Sequence, residues 1–327
     1  MSRILVTGAT GFVGRAVGKA LAQAGHHAIG LVRPPQGRSA CAEEWLDASV
    51  DFGGLAQAVP QGAALDAVIH CAARVHVMAQ AGSLAALDAF RATNVKGAVR
   101  VAELAHSLGA RRMVFVSSIK AIAEAEPGRP LREDDSAHPQ DAYGVSKREA
   151  ELALAAFGRE TGMEIVIVRP PLVYGPQVRA NFLRLLDAVA KGWPLPLGAV
   201  RARRSLIYVD NLADALVHCA MDARAANLCF HVADSEDIEV AALVRALAAG
   251  LGRPARLVPV SPGLLRVAGR LSGKDAAVAR LVGALRLDTS RIRATLGWRA
   301  PWTTEAGLAQ TVRWYRAERG MGARRND

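Results

Sequence analysis

Lysine, acidic residues, aromatics and cysteine are all scarce in these 327 residues. Acidic side chains number 30 against 41 cationic ones, a formal charge of +11. Only six of those cations are lysine, at 19, 96, 120, 147, 191 and 274, so the basic charge is nearly all arginine. The arginines are scattered, with local pairs at 111–112 and 203–204 and a small cluster at 324–325. Aromatics make up 5% and no basic block is interleaved with them, so no nucleic-acid partner is expected. The four cysteines, Cys41, Cys71, Cys219 and Cys229, form no Cys-x-x-Cys pair and have no histidines at zinc spacing. They read as small core residues, and no metal is expected. No apolar run reaches the roughly 18 residues of a membrane helix; the best, Leu65–Ala73, is short and holds Asp66 and His70. Glycine breaks the opening MSRILVTGATGFVG too early for a secretory signal, so a cytoplasmic protein without a membrane partner is expected.

What remains is ordinary globular material, 51% hydrophobic and 22% charged, enough for two modest domains. Through the first half, apolar strands alternate with helical stretches. Arg3–Thr7, His27–Val32, Asp66–Cys71, Arg112–Ser117 and Glu164–Val168 are expected strands. Phe12–Ala24, Leu84–Leu108 and Ala142–Thr161 are expected helices, the first two stopped by Gly25 and Gly109. That order predicts an α/β fold, a doubly wound parallel sheet of the Rossmann type. Past Pro171 the rhythm breaks, with strands expected near Ser205–Val209 and Leu228–Val232 and helices at 181–190, 211–220 and 239–251. We expect residues 1–170 to form a dinucleotide-binding domain and 171–327 a smaller substrate lobe, some of whose segments return to the sheet. The stretch Gly263–Leu287 is amphipathic; helices packed on the lobe are expected, a membrane-surface helix being the alternative.

Chemistry begins at Thr7-Gly8-Ala9-Thr10-Gly11-Phe12-Val13-Gly14, placed after a strand and at a helix start. Gly8 permits the tight turn, Gly11 lets backbone amides approach a pyrophosphate, and Gly14 lets helix and strand pack closely. Thr10, Phe12 and Val13 complete this dinucleotide loop. The second strand ends Val32-Arg33-Pro34 with no carboxylate to bond a ribose. Arg33 can instead pair with a 2′-phosphate, so NAD is the expected cofactor and NADP is tolerated. Asp47 is the expected acceptor for the adenine amine.

Tyr143 and Lys147 stand at i, i+4 near a helix start, which puts both on one face. An ammonium beside a phenol favours phenolate, so the tyrosine pKa is expected to fall from about 10 towards neutrality. Such a group can take the proton of an alcohol as hydride leaves the same carbon. Ser118, ending a strand, can bond the same oxygen.

With these residues in hand, the sequence resembles the extended short-chain dehydrogenase/reductase superfamily, in its nucleotide-sugar epimerase/dehydratase branch. The matching stretches are Thr7–Gly14, Asp66–Ala73, Asn94–Gly97, Val116–Ser118, Tyr143–Lys147, Val168–Pro170, Ile207–Leu212 and Leu296–Trp298. The resemblance implies that Ser118, Tyr143 and Lys147 are the catalytic set. It further implies that Ala72 and Ala73 border the cofactor, that Asn94 supports an active-site water and the helix geometry, and that Pro170 lies at the nicotinamide end. Asn181 and Arg204 would bind the diphosphate of a nucleotide sugar, Arg204 by a two-point fork. A paired-helix homodimer is common in the superfamily, and Leu84–Leu108 and Ala142–Thr161 would suit it.

The sequence also departs from the branch. Its dehydratases carry acids after the active-site hydroxyl residue, whereas Ser118 is followed by Ile119-Lys120-Ala121, which argues against water elimination. Lys120 has no assigned role, and Ile122-Ala123 replace a common Tyr-Gly. A UDP-hexose 4-epimerase acting on UDP-glucose or UDP-N-acetylglucosamine is the leading expectation. The alternative is an NAD(P)H-dependent 4-ketoreductase of a nucleotide-linked 4-keto-6-deoxy sugar, in the same surface-polysaccharide setting. A dinucleotide-binding protein without chemistry is the reading of another class, and the intact Ser118, Tyr143 and Lys147 argue against it.

Overall fold

Five consecutive strands have interiors in which nearly every side chain is buried, the pattern of a parallel sheet covered on both faces. In the computed structural model, which describes residues 1–35, 37–75, 84–273 and 275–320, these are β1 (Arg3–Thr7), β2 (His27–Val32), β4 (Ala67–His70), β5 (Arg112–Val116) and β6 (Glu164–Arg169). Two short strands join them, β3 (Glu43–Leu46) and β10 (Cys229–His231). The sheet order is β10-β6-β5-β4-β1-β2-β3 and every pairing is parallel. The order reverses between β1 and β4, so a crevice opens beyond their C-terminal ends, where such sheets bind ligands. The fold is the doubly wound Rossmann type read from the sequence.

Alternation along the strands divides the core. Ile4 and Val6 face one side, with α1 (Phe12–Gln23), α7 (Val209–Met221), α8 (Val240–Gly250) and α12 (Thr304–Glu318). Leu5, Val68 and Met113 face the other, with α2 (Leu55–Ala58), α4 (Gly97–Ser107) and α5 (Ala142–Thr161). The first of these cores runs without interruption into residues 171–320 through Leu206, Leu247, Trp298 and Tyr315. Beyond β6 come β7 (Leu172–Tyr174) pairing β9 (Leu206–Tyr208), α6 (Ala180–Ala190), and β8 (Arg203–Arg204) pairing β11 (Ile238–Glu239). Three further helices follow α8: α9 (Pro262–Leu271), α10 (Asp275–Val282) and α11 (Ser290–Leu296).

The structure differs from the sequence reading in two respects. Leu84–Leu108 is not one helix: α3 (Leu84–Arg91) and α4 are separated by a wide π turn at Ala92–Lys96. The amphipathic stretch 263–287 holds helices, as expected, in α9 and α10. Strand β3 and helix α12 were not foreseen. The arginine cluster at 324–325 lies outside the described residues.

One buried ion pair fixes α5 against the strand ends. The Arg169 guanidinium donates to both oxygens of Glu151, Nε to Oε1 and Nη2 to Oε2, each at 2.8 Å. Ser117 Oγ donates to Glu151 Oε1 at 2.5 Å, and Arg148 adds a bond at 3.0 Å. Arg169 also donates to the Glu133 carbonyl, and the Glu133 carboxylate accepts the backbone amide of His231. Burial alone would push the Glu151 carboxyl up; the Arg169 fork, with Ser117 and Arg148, more than offsets this and holds it below the usual range.

Removing the carboxylate leaves a buried guanidinium unpaired, so Glu151→Ala is expected to lower stability by about 3–5 kcal/mol, read from urea unfolding at neutral pH. Because the folded pKa is depressed, this contribution is complete above the unfolded value of about 4.3 and is lost as pH falls through the lower folded value. The gap between wild type and variant should therefore close only below about pH 4.

Candidate active site

The glycine loop is shaped so that side chains have no room. Gly8 takes φ of 65°, in the left-handed region, and a Cβ there would lie 2.9 Å from the Ala72 backbone. A Cβ on Gly14 would lie 2.2 Å from the Gly8 carbonyl, and Gly11 closes the turn by donating its amide to that same oxygen at 2.9 Å. Gly11 is the N-cap of α1, with Phe12 and Val13 half-buried in its first turn. Arg15 Nε donates to the Thr10 carbonyl. Ala72 and Ala73 follow β4 beside Gly8, held by the Ala72 amide donating to Thr7 Oγ1 at 3.2 Å.

Asp47, just past β3, is buried. Its Oδ1 accepts both the amide and the hydroxyl of Ser49, while Oδ2 is buried without a partner among the described residues. An unsatisfied buried carboxylate oxygen suits an amine donor such as that of adenine. Arg33 lies half-buried at the end of β2, with no ion pair or hydrogen bond among the described residues. A crowded glycine cradle, a helix N-terminus and an open acceptor at Asp47 fit a dinucleotide.

Asn94 sits in the π turn. Its side chain bonds the Arg74 backbone in both directions, at 2.8 and 3.1 Å, and donates to Ser146 Oγ at 3.0 Å. The residue therefore ties the loop after β4 to α5.

On α5 the N-cap is Asp141, whose Oδ1 accepts the Gly144 amide at 2.7 Å. Tyr143 sits one residue inside, edge-on to Phe90. Lys147 is 1% exposed, its Nζ 4.0 Å from the centre of the Phe115 ring. Here the charge argument from sequence is corrected. Burial lowers the Lys147 pKa to about 7, opposed by the charges of Glu151 and Cys71. Burial pushes Tyr143 up to about 12, the Asp141 charge adding to the rise and the Ser118 hydroxyl opposing it. Spacing placed the two groups on one face, but desolvation moves both towards their neutral forms.

Ser118 caps a short 3₁₀ turn, Ile119–Ala121, by accepting the Lys120 amide at 3.2 Å. The Pro170 carbonyl accepts the Ile119 amide at 3.0 Å, so Pro170 lies directly beneath this turn. Lys120 now has a place. Its Nζ lies 2.6 Å from Asp141 Oδ2 and 2.8 Å from Glu124 Oε1. A Cβ on Gly144 would lie 2.4 Å from the Lys120 carbonyl, so the first turn of α5 rests on that peptide. Burial alone would lower the Lys120 pKa; its two carboxylates more than offset this and raise it. Glu124 faces Arg280 of α10 at 3.7 Å, and the Arg204 guanidinium donates to the Arg280 carbonyl. Burial holds the Arg204 pKa below its ordinary value, with the Glu124 charge opposing.

Ser118, Tyr143, Lys147, Pro170 and Arg204 thus converge through Lys120, Asp141 and Glu124. Asn181 does not join them; it is exposed at the start of α6 with no hydrogen bond among the described residues. Asp141, Glu124, Glu151, Arg169 and Arg280 were missed as site residues. Three had a local signal: Asp141 is a helix cap just before Tyr143, while Glu124 and Glu151 stand at i+4 from Lys120 and Lys147.

Comparison with known proteins identifies the family. The model of the NAD dependent epimerase/dehydratase family matches residues 4–231. A UDP-glucose 4-epimerase from Vibrio cholerae is 38% identical over 318 residues, 94% of each chain. A UDP-glucose 4-epimerase from Mycolicibacterium smegmatis is 28% identical over 335 residues, 96% of this chain and 98% of that one. Among solved structures, a short-chain dehydrogenase/reductase superfamily protein from Agrobacterium tumefaciens with bound NAD superposes with a TM-score of 0.75 at 25% identity, covering 99% and 100% of the two chains. The UDP-glucose 4-epimerase of Thermotoga maritima gives 0.76 at 23% identity, covering 97% and 99%, a likeness of fold. With a family match across most of its length, the chain belongs to the NAD dependent epimerase/dehydratase family, and its cofactor is NAD.

Proposed function

We propose that the protein is a nucleotide-sugar 4-epimerase, with UDP-glucose or UDP-N-acetylglucosamine as substrate. The observation that carries this reading is the 38% identity, over 94% of both chains, to a UDP-glucose 4-epimerase. Gly8, Thr10, Gly11, Phe12, Val13, Gly14, Ala72, Ala73 and Asp47 would hold NAD, which when bound supplies a hydride acceptor and, oxidised, a positive charge. Tyr143 takes the proton from the sugar 4-hydroxyl, and the Ser118 hydroxyl bonds the same oxygen. The 4-keto sugar then turns in the cleft so that carbon 4 would take its hydride back on the opposite face, and Tyr143 returns the proton to the 4-oxygen, so there is no net redox change. Lys147, whose pKa burial lowers to about 7, supplies positive charge when the phenol ionises. Arg204 would pair with the diphosphate, with Asn181 at the rim.

Elimination of water is disfavoured. The carboxylates nearest the Ser118 turn, Asp141 and Glu124, are both held by Lys120; burial alone would push Asp141 up, but the Lys120 pairing and the Gly144 amide more than offset this and leave it below the usual carboxylate range. Arg33 favours a second reading, in which an exchangeable NADPH serves a 4-ketoreductase. We place the enzyme in the cytoplasm, as a homodimer through its paired helices; Leu152, on α5, is 55% exposed and would be covered there.

Denaturing the purified protein and identifying the released nucleotide tests the reading. Stoichiometric NAD, with interconversion of UDP-glucose and UDP-galactose or their N-acetyl forms, is the expected result. Nucleotide-free protein that oxidises NADPH only with a 4-keto sugar makes it a ketoreductase. Tyr143→Phe is expected to cut kcat by about 10²–10⁴ while circular dichroism stays unchanged.

The pH profile carries a sharper test. Asp141 raises the Tyr143 pKa and Lys120 offsets Asp141. In Asp141→Asn, which still caps Gly144, the rising limb of kcat should therefore move to lower pH. In Lys120→Met it should move to higher pH. Shifts in the same direction would show that the two residues act only through folding.

A further inference from the structure

Nearly half of the net charge lies in one short segment. Residues 251–282 contain Arg253, Arg256, Arg266, Arg270, Lys274 and Arg280 against a single acid, Asp275. Arg253, Arg256 and Arg266 have no ion-pair partner among the described residues, and Arg270 has only Asp275 at 3.9 Å. Within this segment α9 is capped by Ser261, whose Oγ accepts the Leu264 amide at 3.3 Å. One side of α9 packs inward: a Cβ on Gly269 would lie 2.9 Å from Val278 of α10.

A second apolar stripe on α9 is turned to solvent. Leu264, Val267 and Leu271 fall on one face at i, i+3 and i+7, and they are 64%, 52% and 86% exposed. Val258, shortly before the helix, is 43% exposed and Trp193 is 57% exposed. Their segments are joined backbone to backbone, the Leu195 amide to the Arg256 carbonyl and the Val258 amide to the Leu195 carbonyl, both at 2.8 Å. Lys191 Nζ lies 5.1 Å from the centre of the Trp193 ring.

An outward apolar stripe, flanked by Arg266 and Arg270 and accompanied by an exposed tryptophan, has the chemistry of a helix lying in a lipid headgroup layer. Arginine stems reach from apolar surroundings to phosphates, and the net charge matches an anionic surface. A second copy of the chain is the poorer occupant. A two-fold contact through this face would set one basic segment against its own equivalent. We propose that α9 and the basic segment around it dock the protein on an anionic bilayer, with Leu264, Val267 and Leu271 in the headgroup layer. The helix packed beneath carries Arg280, which touches both Arg204 and Glu124, so docking holds the candidate site one helix away from the lipid. The proposal stands apart from the choice of sugar substrate.

Co-sedimentation of the full-length protein with vesicles tests it. The protein is expected to pellet with phosphatidylcholine vesicles holding about one third phosphatidylglycerol, to stay in solution with phosphatidylcholine alone, and to be released by salt. Two double variants, Leu264→Glu with Leu271→Glu and Arg266→Glu with Arg270→Glu, should each weaken partition by roughly tenfold or more. Both alter exposed side chains, and both should keep the wild-type circular dichroism and solution mass. The proposal is overturned if wild type ignores the anionic vesicles, or if either variant pellets as wild type does. It is likewise overturned if the leucine variant converts an oligomer to monomer, which would make the stripe a contact between copies.

Discussion

The Arg169 fork on Glu151 is the constraint on which the candidate site depends. An apolar pair of similar volume would fill that space with equal or greater stability, because both ions must be stripped of water. It would not set the rotation of α5. Glu151, Lys147 and Tyr143 follow one another at i+4 on a single face, so a carboxylate with two hydrogen-bonded oxygens fixes the azimuth of all three. The same guanidinium sits at the end of β6, immediately before Pro170, and the same carboxylate accepts the Ser117 hydroxyl at the end of β5. Helix, serine turn and proline turn are thereby indexed to one buried group.

Lys120 repeats this arrangement nearer the surface. It joins the cap of α5 to the turn that presents Ser118, and Gly144 must lack a side chain for the helix to rest there. Two anchors, one under the helix and one at its start, hold Tyr143 against Ser118. The arrangement also bears on which reaction can occur. An ammonium pairs with both Asp141 and Glu124 and, against the opposing effect of burial, holds the Asp141 carboxyl below its usual range, so Asp141 is poorly suited to protonate a leaving hydroxyl. The hydroxyl, the phenol and the buried amine remain for proton transfer, which suits moving a proton off a sugar oxygen and back on.

Legibility in the sequence followed the range of the interaction. The glycine loop, the alternation of strands and helices in the first half and the Tyr143–Lys147 spacing are local, set by a few neighbouring residues, and could be read directly. Asp47 was named from its place after the short apolar Trp45-Leu46, and its open Oδ2 gives that expectation a physical basis. The charge state of the Tyr143–Lys147 pair was not legible, because spacing says nothing of desolvation; only the fold reveals that Phe115 covers the amine. Lys120 was unreadable for a related reason: one of its partners, Asp141, lies across a long loop. The π turn escaped because one extra residue in a helical turn leaves the apolar pattern on either side intact, although it is what lets Asn94 reach Arg74 and Ser146. Helix α12 escaped because its pattern is weak, even though Thr303 caps it.

The excess of arginine over lysine has a structural counterpart. Arg169 forks onto a buried carboxylate, Arg112 donates to several carbonyls at the end of α7 while pairing with Glu164, and Arg204 donates to a carbonyl of α10. Each of these sites asks for a planar donor with several N–H groups that keeps its charge when buried. A lysine would offer one flexible point, and burial would lower its pKa, as it does for Lys147. Lys147 is the exception that the chemistry calls for, since a buried amine near neutrality can answer the charge of an adjacent phenol. Buried guanidinium groups hold the architecture around the cleft, while Arg253, Arg256 and Arg266 are exposed and have no ion-pair partner among the described residues, open to a ligand or partner outside the chain.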